Sequence, residues 1–154
     1  MSNRQDERRY KAQVGALPIR RSAAGPEVLL VTSRETRRWI IPKGWPMKGR
    51  KDHEAAAQEA AEEAGVIGKV SKHPIGAYTY QKRLANRLEP CRVMVYVLEV
   101  EGQLADWRER KERKRQWFPA LEAAEAVAQP KLASMIRALC RPRTMLAGAA
   151  DAAA

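Results

Sequence analysis

The chain has few of the residues that mark disulfide-stabilised or zinc-binding proteins. Only two cysteines and two histidines occur among its 154 residues. Cys91 and Cys140 do not form a CxxC pair, which argues against both a disulfide framework and a structural zinc site. We therefore expect two reduced thiols that fill small apolar spaces.

Long hydrophobic runs are absent as well. No apolar run approaches the ~18 residues that a membrane-spanning helix needs. The first residues carry charges but no apolar segment of the kind found in secretory signals. The sequence therefore predicts a chain without a membrane span and with a cytoplasmic location, and its length is typical of one domain. It carries no signal for an oligomeric state.

Negative charge is scarce relative to positive charge. Lysine and arginine total 29 against 18 aspartates and glutamates, which gives a formal net charge of +11. A field of this sign attracts polyanions such as nucleotides, inositol phosphates, polyphosphate or RNA. Charge alone does not choose among these partners.

The order of apolar runs and helix signals predicts a sheet that is covered on two faces. Strands are expected at 14–20, 27–32, 39–41 and 92–100, and helices at 52–64, 121–128 and 131–139. In the first helix Asp52 is the expected N-cap, and Gly65 stands where a helix commonly ends. This order indicates an α/β or α+β domain. The predicted boundaries are a flexible segment at 1–12, a folded domain at 13–141 and a disordered tail at 142–154.

The helix at 52–64 carries three acids on one side. At about 100° per residue, Glu59, Glu62 and Glu63 fall within one arc, and alanines fill the other side. No lysine or arginine lies four residues from any of them, and each like-charged pair at that spacing costs ~0.2 to 0.5 kcal/mol. Glutamate oxygens are ligands that Mg²⁺ or Mn²⁺ prefers. The alternative is an acidic face that is simply solvated.

A basic loop immediately precedes this helix. The positively charged residues are Arg34, Arg37, Arg38, Lys43, Lys48, Arg50 and Lys51. Carboxylates that hold a divalent cation, together with nearby positive side chains, are what hydrolysis of a phosphoanhydride requires. General attraction of polyanions is the competing explanation for the basic run.

The spacing of these residues resembles the Nudix box, which is Gly, five residues, Glu, seven residues and then Arg-Glu-apolar-x-Glu-Glu-x-Gly-apolar. The motif runs here from Gly44 through Glu59, Glu62 and Glu63 to Gly65 without an insertion. The resemblance implies the Nudix fold, an α/β/α sandwich with a mixed β-sheet, and Mg²⁺-dependent hydrolysis of a phosphoanhydride. It also implies that the three glutamates are the catalytic residues, and that they and the Gly44 carbonyl bind the metal.

Two positions depart from the pattern. Arg50 stands where the family has its first glutamate, and Gln58 stands where it has the arginine of the helix. Both charges have therefore changed together, and no guanidinium is left beside a missing acid. Arg50 is expected either to pair with Glu54 or to face the substrate. The two departures also leave open a Nudix-fold sensor that binds without catalysis.

The sequence on both sides of the motif is similar to one branch of the family. The stretches EVLLVTSRETRRWIIPKG and DWRERKERKRQWFPALEAA resemble the diphosphoinositol polyphosphate phosphohydrolases, which also cleave diadenosine polyphosphates. In that branch basic residues around the metal grip the phosphates. The corresponding residues here are Lys11, Arg34, Arg113 and Lys131. Lys43 stands where the branch usually has glycine, and we expect it to bind phosphate as well.

The sequence thus predicts a metal-dependent pyrophosphohydrolase with a small polyphosphorylated substrate, either a diadenosine polyphosphate or a diphosphoinositol polyphosphate. A nucleoside triphosphate, a 5′-triphosphate RNA and a non-catalytic polyanion-binding or RNA-binding module stay as alternatives. One of the three glutamates, or a later acid such as Glu89 or Glu101, would accept the proton. Trp45 is either a packing residue or a surface on which an adenine stacks.

Overall fold

A computed structural model of the chain describes residues 9–141, and within them one mixed sheet of eight strands forms the centre of the fold. The strands are β1 (Lys11–Ser22), β2 (Gly25–Thr32), β3 (Trp39–Ile40), β4 (Lys43–Gly44), β5 (Val66–Val70), β6 (Gly76–Arg83), β7 (Leu88–Gln103) and β8 (Arg115–Pro119). The helices are α1 (Asp52–Glu59), which continues as a π-helical turn (Ala60–Ala64), α2 (Ala120–Ala126) and α3 (Pro130–Ala138).

The two longest strands form the middle of the sheet. β1 and β7 run parallel, with Lys11 opposite Cys91 and Ile19 opposite Glu99. All other strand pairs in the described residues are antiparallel, and the main order is β3-β2-β1-β7-β5. β4 pairs with β1, β6 with β7 and β8 with β2. The expected mixed sheet is therefore confirmed.

Both faces of this sheet are covered by helices. Successive residues of β2 alternate between two cores, because side chains on a strand point to opposite faces. Leu29 and Val31 pack beside the alanines of α1 and its π-helical turn, and Val28 and Leu30 pack beside α2 and α3. The small alanine side chains let α1 lie close to the sheet. This arrangement is the predicted α/β/α sandwich.

The helix that bears the three acids differs in detail from the prediction. Its N-cap is Lys51 rather than Asp52, and the carboxylate of Glu54 accepts a hydrogen bond from the Lys51 backbone N–H at 2.9 Å. The last five residues form a π-helical turn, a feature often found at functional sites. The turn ends at Gly65, whose φ of 65° is left-handed, as the sequence indicated.

The boundaries of the folded part also differ slightly. β1 begins at Lys11, two positions inside the segment that was expected to be flexible, because Lys11 pairs with Cys91 of β7. The remaining expectations for 1–8 and for the tail at 142–154 lie outside the described residues. No helix in the described range has the length and apolar character needed to cross a bilayer.

Candidate metal and phosphate site

A cleft of about 1020 Å³ opens beside α1 and the edge strand β4, and both acidic and basic side chains line it. The acidic wall comprises Glu59, Glu62 and Glu63 with Glu109 and Glu112 from the loop before β8. The basic wall comprises Lys43 and Trp45 with Tyr80 and Lys82 of β6. The fold therefore brings the three predicted glutamates and the predicted Lys43 into one cavity.

Glu63 is the most buried acid of the site, with 7% of its surface exposed. One carboxylate oxygen accepts the backbone N–H of Lys43 at 3.1 Å, and the other lies 3.6 Å from the guanidinium of Arg113. Burial raises the pKa of Glu63, and the positive charge of Arg113 opposes that shift. The contact with Lys43 ties the π-helical turn to β4.

Glu59 lies against Gly44 of β4. A Cβ at position 44 would overlap the Glu59 carboxylate, so only glycine allows the strand and the helix to come this close. Burial raises the pKa of Glu59 to about 7, and the neighbouring charges of Glu63, Glu62 and Glu109 add to the shift. No ion pair to Glu59 occurs within residues 9–141.

Glu62 has partners that the local sequence does not reveal. Its carboxylate accepts a hydrogen bond from Gln58 at 3.2 Å and lies 3.6 Å from the guanidinium of Arg108. Gln58, which departs from the family pattern, therefore still contacts a glutamate of the motif. Arg50, the other departure, is exposed and does not line the cleft, and Glu54 bonds to the Lys51 backbone instead of to Arg50.

The loop between β7 and β8 supplies site residues that the sequence analysis missed. The backbone N–H of Glu109 donates to the Glu62 carbonyl at 3.0 Å, and the Glu109 side chain accepts from Arg113 at 2.9 Å. Glu109 also lines the cleft. The only local signal was the run of mixed charge between Trp107 and Arg113, which does not indicate a contact with a helix so far back in the chain.

These contacts correct the argument that the three acids lack cationic partners. None exists at helical spacing, but Arg108 and Arg113 reach Glu62 and Glu63 from a distant loop. Arg115 in addition donates to the carbonyls of Ala64 and Gly65 at 3.1 Å, which offsets the negative end of the helix dipole. Of the three acids, Glu59 alone makes no ion pair in the part of the chain that the structure describes.

Three of the five predicted phosphate-binding residues line the cleft. Lys43 is half-buried, and burial lowers its pKa to about 8, while the charge of Glu63 opposes the shift. Arg34 is exposed and lies 3.5 Å from Glu112. Arg113 is already engaged, because it also donates to the Thr32 carbonyl at 3.1 Å. Arg113 thus holds Glu63 and Glu109 in place.

Two predicted phosphate-binding residues lie outside the cleft. Lys11 is exposed at the start of β1, and Gln13, two residues further on, occupies the wall instead. Lys131 is exposed in the first turn of α3, where Gln129 and Pro130 line the cleft. Successive helical residues point about 100° apart, so a lysine one position along a helix can face away from its neighbours.

The two acids outside the motif that were considered as proton acceptors, Glu89 and Glu101, do not line the cleft. Glu89 pairs with Arg87 at 3.2 Å and does not line the cleft, and Glu101 is exposed on β7. The acid that a later loop does bring to the site is Glu109. Trp45 is 43% exposed at the cleft and belongs to neither core cluster, so packing does not explain it.

The carboxylate and carbonyl oxygens of the site suit a divalent cation, but the three glutamates do not converge on one point. Glu59 and Glu63 lie close enough for the negative charge of Glu63 to raise the pKa of Glu59. Within residues 9–141 no three acidic, histidine or cysteine side chains are already grouped as a metal site. The physical reason is that Glu62 is turned toward Arg108 and Gln58. A divalent cation held by Glu59 and Glu63 would compete with Arg108 for Glu62.

Comparison with known proteins identifies the family of this arrangement. A profile of the NUDIX domain matches residues 9–139. Nudix hydrolase 12, mitochondrial, of Arabidopsis thaliana is 36% identical over 103 residues, which are 64% of this chain and 51% of the relative. Diphosphoinositol polyphosphate phosphohydrolase 2 of Rattus norvegicus is 36% identical over 125 residues, covering 79% of this chain and 65% of the relative. The chain spans only about half the length of the first of these.

Solved structures show the same fold at lower identity. The binary complex of C. elegans Ap4A hydrolase has a TM-score of 0.62 and 21% identity, covering 90% of this chain and 98% of that chain. The NUDIX domain of Shewanella oneidensis NrtR, complexed with ADP ribose, has a TM-score of 0.63 and 14% identity, covering 83% of this chain and 86% of that one. The profile confirms the predicted family, and the solved structures confirm the predicted fold.

Proposed function

The chain belongs to the Nudix family, and from that premise we propose that it is a metal-dependent pyrophosphohydrolase. Its substrate would be a small molecule that contains a phosphoanhydride, either a diadenosine polyphosphate or a diphosphoinositol polyphosphate. The observation that supports this most directly is a single cleft lined by both carboxylates and positively charged side chains. A divalent cation suits the acidic wall, and a chain of phosphates suits the space between that cation and the lysines.

The residues that would hold the cation are Glu59, Glu62 and Glu63, with the Gly44 carbonyl. Mg²⁺ is the cation that best matches carboxylate and carbonyl oxygens, and Mn²⁺ prefers the same donors. When bound, the ion would polarise the phosphate that is attacked. Glu109 lies close enough to raise the pKa of Glu59, and it is the loop acid best placed to help accept a proton.

The residues that would bind the phosphates are Lys43 and Arg34. Both line the cleft, and the partner of Arg34, Glu112, is exposed, so a phosphate can compete for that guanidinium at little cost. Arg113 contributes by holding Glu63 and Glu109 in place. Lys11 and Lys131 do not line the cleft, and their contact with phosphate stays a prediction. The predicted cytoplasmic location stays part of the proposal, and several plant relatives are named as mitochondrial.

The experiment that tests this function is a substrate panel. Purified protein is incubated with Mg²⁺ or with Mn²⁺ and with diadenosine polyphosphates, inositol pyrophosphates, nucleoside triphosphates, nucleotide sugars or 5′-triphosphate RNA. Products are separated by ion-exchange chromatography. We expect turnover that depends on the metal and is fastest for compounds with several phosphates in a row.

A variant pair assigns that turnover to the acidic wall. Glu63→Gln keeps the shape of the side chain and removes its charge, and we expect a loss of at least ~10²-fold in kcat because a key electrostatic group is lost. Glu101→Gln, on an exposed position of β7 outside the cleft, is the matched control. Near-normal activity of Glu63→Gln would show that this site is not the reaction centre.

The remaining alternatives give different results in the same panel. Tight binding without turnover would indicate a Nudix-fold sensor. Retention of RNA that needs no metal and falls steeply with salt would indicate a polyanion-binding module. Both results would contradict the proposed activity.

A further inference from the structure

The basic wall of the cleft is built as an alternation of cations and aromatic rings. Lys43 and Trp45 lie two residues apart on β4 and the loop after it, and Tyr80 and Lys82 lie two residues apart on β6. The Lys43 ammonium is 4.9 Å from the centre of the Tyr80 ring, and the Lys82 ammonium is 4.6 Å from the centre of the Trp45 ring. Each strand therefore presents one cation and one aromatic side chain to the other.

Trp45 is the most exposed member of this group. Its side chain takes no part in either core cluster, and it is 43% exposed, whereas Lys43, Tyr80 and Lys82 are all partly buried. A large planar apolar surface left open inside a charged cleft suits a ligand that has a planar face of its own.

The position of Trp45 relative to the acids indicates which chemical groups such a ligand would contain besides its planar ring. Trp45 directly follows Gly44, and Gly44 is in contact with the Glu59 carboxylate. Trp45 and the three glutamates line the same cleft, so a ring stacked on Trp45 lies in the cavity that contains the acidic wall. Lys43 and Lys82 line this same cleft, and their ammonium groups suit the phosphates that connect such a ring to the reacting bond.

We propose that Trp45 is a stacking surface for the base of a nucleoside polyphosphate and that Lys82 binds an adjacent phosphate. The inference rests on the proposed function and narrows its substrate class. Every nucleobase has a π face that stacks on an indole, and this contact is stronger than an exposed cation–π contact, so a base can replace Lys82 on the ring. An inositol ring has no π face and gains nothing from Trp45.

The test measures binding rather than turnover. Isothermal titration calorimetry in Mg²⁺ compares a methylene-bridged, non-hydrolysable analogue of diadenosine tetraphosphate with inorganic tetraphosphate, which has the same number of phosphates and no base. The proteins are wild type, Trp45→Ala, Trp45→Phe and Lys82→Gln. Leu121→Ala is the control, because Leu121 is 60% exposed on α2 and outside the cleft.

The expected result is a split between the two ligands. Trp45→Ala should weaken binding of the dinucleotide analogue by about 5-fold to about 150-fold, the range that loss of one base stack spans, and should leave tetraphosphate binding within twofold. Trp45→Phe should recover most of the affinity. Lys82→Gln should weaken binding of both ligands, and Leu121→Ala neither.

Three outcomes would overturn the inference. Equal weakening of both ligands by Trp45→Ala would mean that Trp45 only shapes the cleft, and no weakening would mean that the base lies elsewhere. Failure of the wild type to bind the dinucleotide analogue more tightly than tetraphosphate would mean that no base is recognised. A wild type that binds the analogue through Trp45 but hydrolyses no substrate would contradict the proposed function and leave this inference standing.

Discussion

The two walls of the cleft are held in place by different kinds of contact. On the acidic wall, Glu63 and Glu62 are fixed by hydrogen bonds and by arginines, and Glu59 is wedged against Gly44. On the basic wall, the ammonium groups of Lys43 and Lys82 rest on aromatic rings. Directional bonds fix positions, whereas a lysine on a ring can swing away. The acidic wall is therefore suited to one fixed ion and the basic wall to adaptable contacts with a substrate.

The largest effect on stability should come from removing the arginine that holds the acidic wall. Arg113→Met leaves Glu63 and Glu109 without their shared partner in a buried site, and we expect a loss of about 3 to 5 kcal/mol in the free energy of unfolding. Arg34→Met removes an exposed partner of Glu109 and Glu112 and should cost about 0 to 1 kcal/mol. Urea denaturation of both variants measures the difference, and similar losses would show that burial does not strengthen the contacts of Arg113 with the acidic wall.

A smaller effect should appear in the pH dependence of stability without divalent metal. The folded state raises the pKa of Glu59 from 4.5 to about 7, so its protonated form stabilises the protein below pH 4.5 and that contribution is lost as the pH rises through 7. Because the carboxyl is only half-buried, we expect a loss of about 1 kcal/mol.

The measurement compares thermal unfolding of wild type and Glu59→Gln in EDTA between pH 5 and pH 8. The wild type should lose more stability than the variant over this range, and Mg²⁺ at pH 8 should restore it in the wild type alone. Parallel curves for the two proteins would mean that Glu59 does not titrate in this range.

The smallest expected effect concerns the choice of substrate by the basic wall. Lys43→Met removes a half-buried ammonium. We expect kcat/KM for a diadenosine pentaphosphate to fall about 3-fold to about 10-fold relative to that for a diadenosine triphosphate, because the longer phosphate chain carries more negative charge that the ammonium would neutralise. Lys48→Met, on an exposed residue outside the cleft, is the control. If kcat/KM fell equally for all substrates, the main role of Lys43 would be to support Glu63 and not to bind the phosphates.

Much of the fold was predictable because its signals are local. The apolar runs gave the main strands within a few residues of their observed ends, since both faces of the sheet are buried. Gly65 ended the acidic helix as expected, because a left-handed residue favours glycine. The π-helical turn was not predictable, since its geometry depends on how Glu63 reaches β4.

The candidate site was predicted most completely where one motif contains it. Gly44, Glu59, Glu62 and Glu63 belong to a single stretch, and their spacing brought them together in the prediction as well as in the fold. Glu109 and Arg108 come from a loop more distant in the chain, and no local pattern relates them to the helix. Lys11 and Lys131 do not line the cleft, because resemblance fixes a residue's position in the chain but not the direction of its side chain, and their contact with phosphate stays a prediction.

The sequence by itself determined which acids share a helix face, where that helix ends and that glycine is needed beside it, because these properties depend on spacing along one element. Only the tertiary structure decided which cations meet those acids, that Glu59 has no ion pair within the described residues, and that Trp45 stays open beside Lys82. Those contacts join segments far apart in the chain. Their geometry depends on how the sheet and its loops pack.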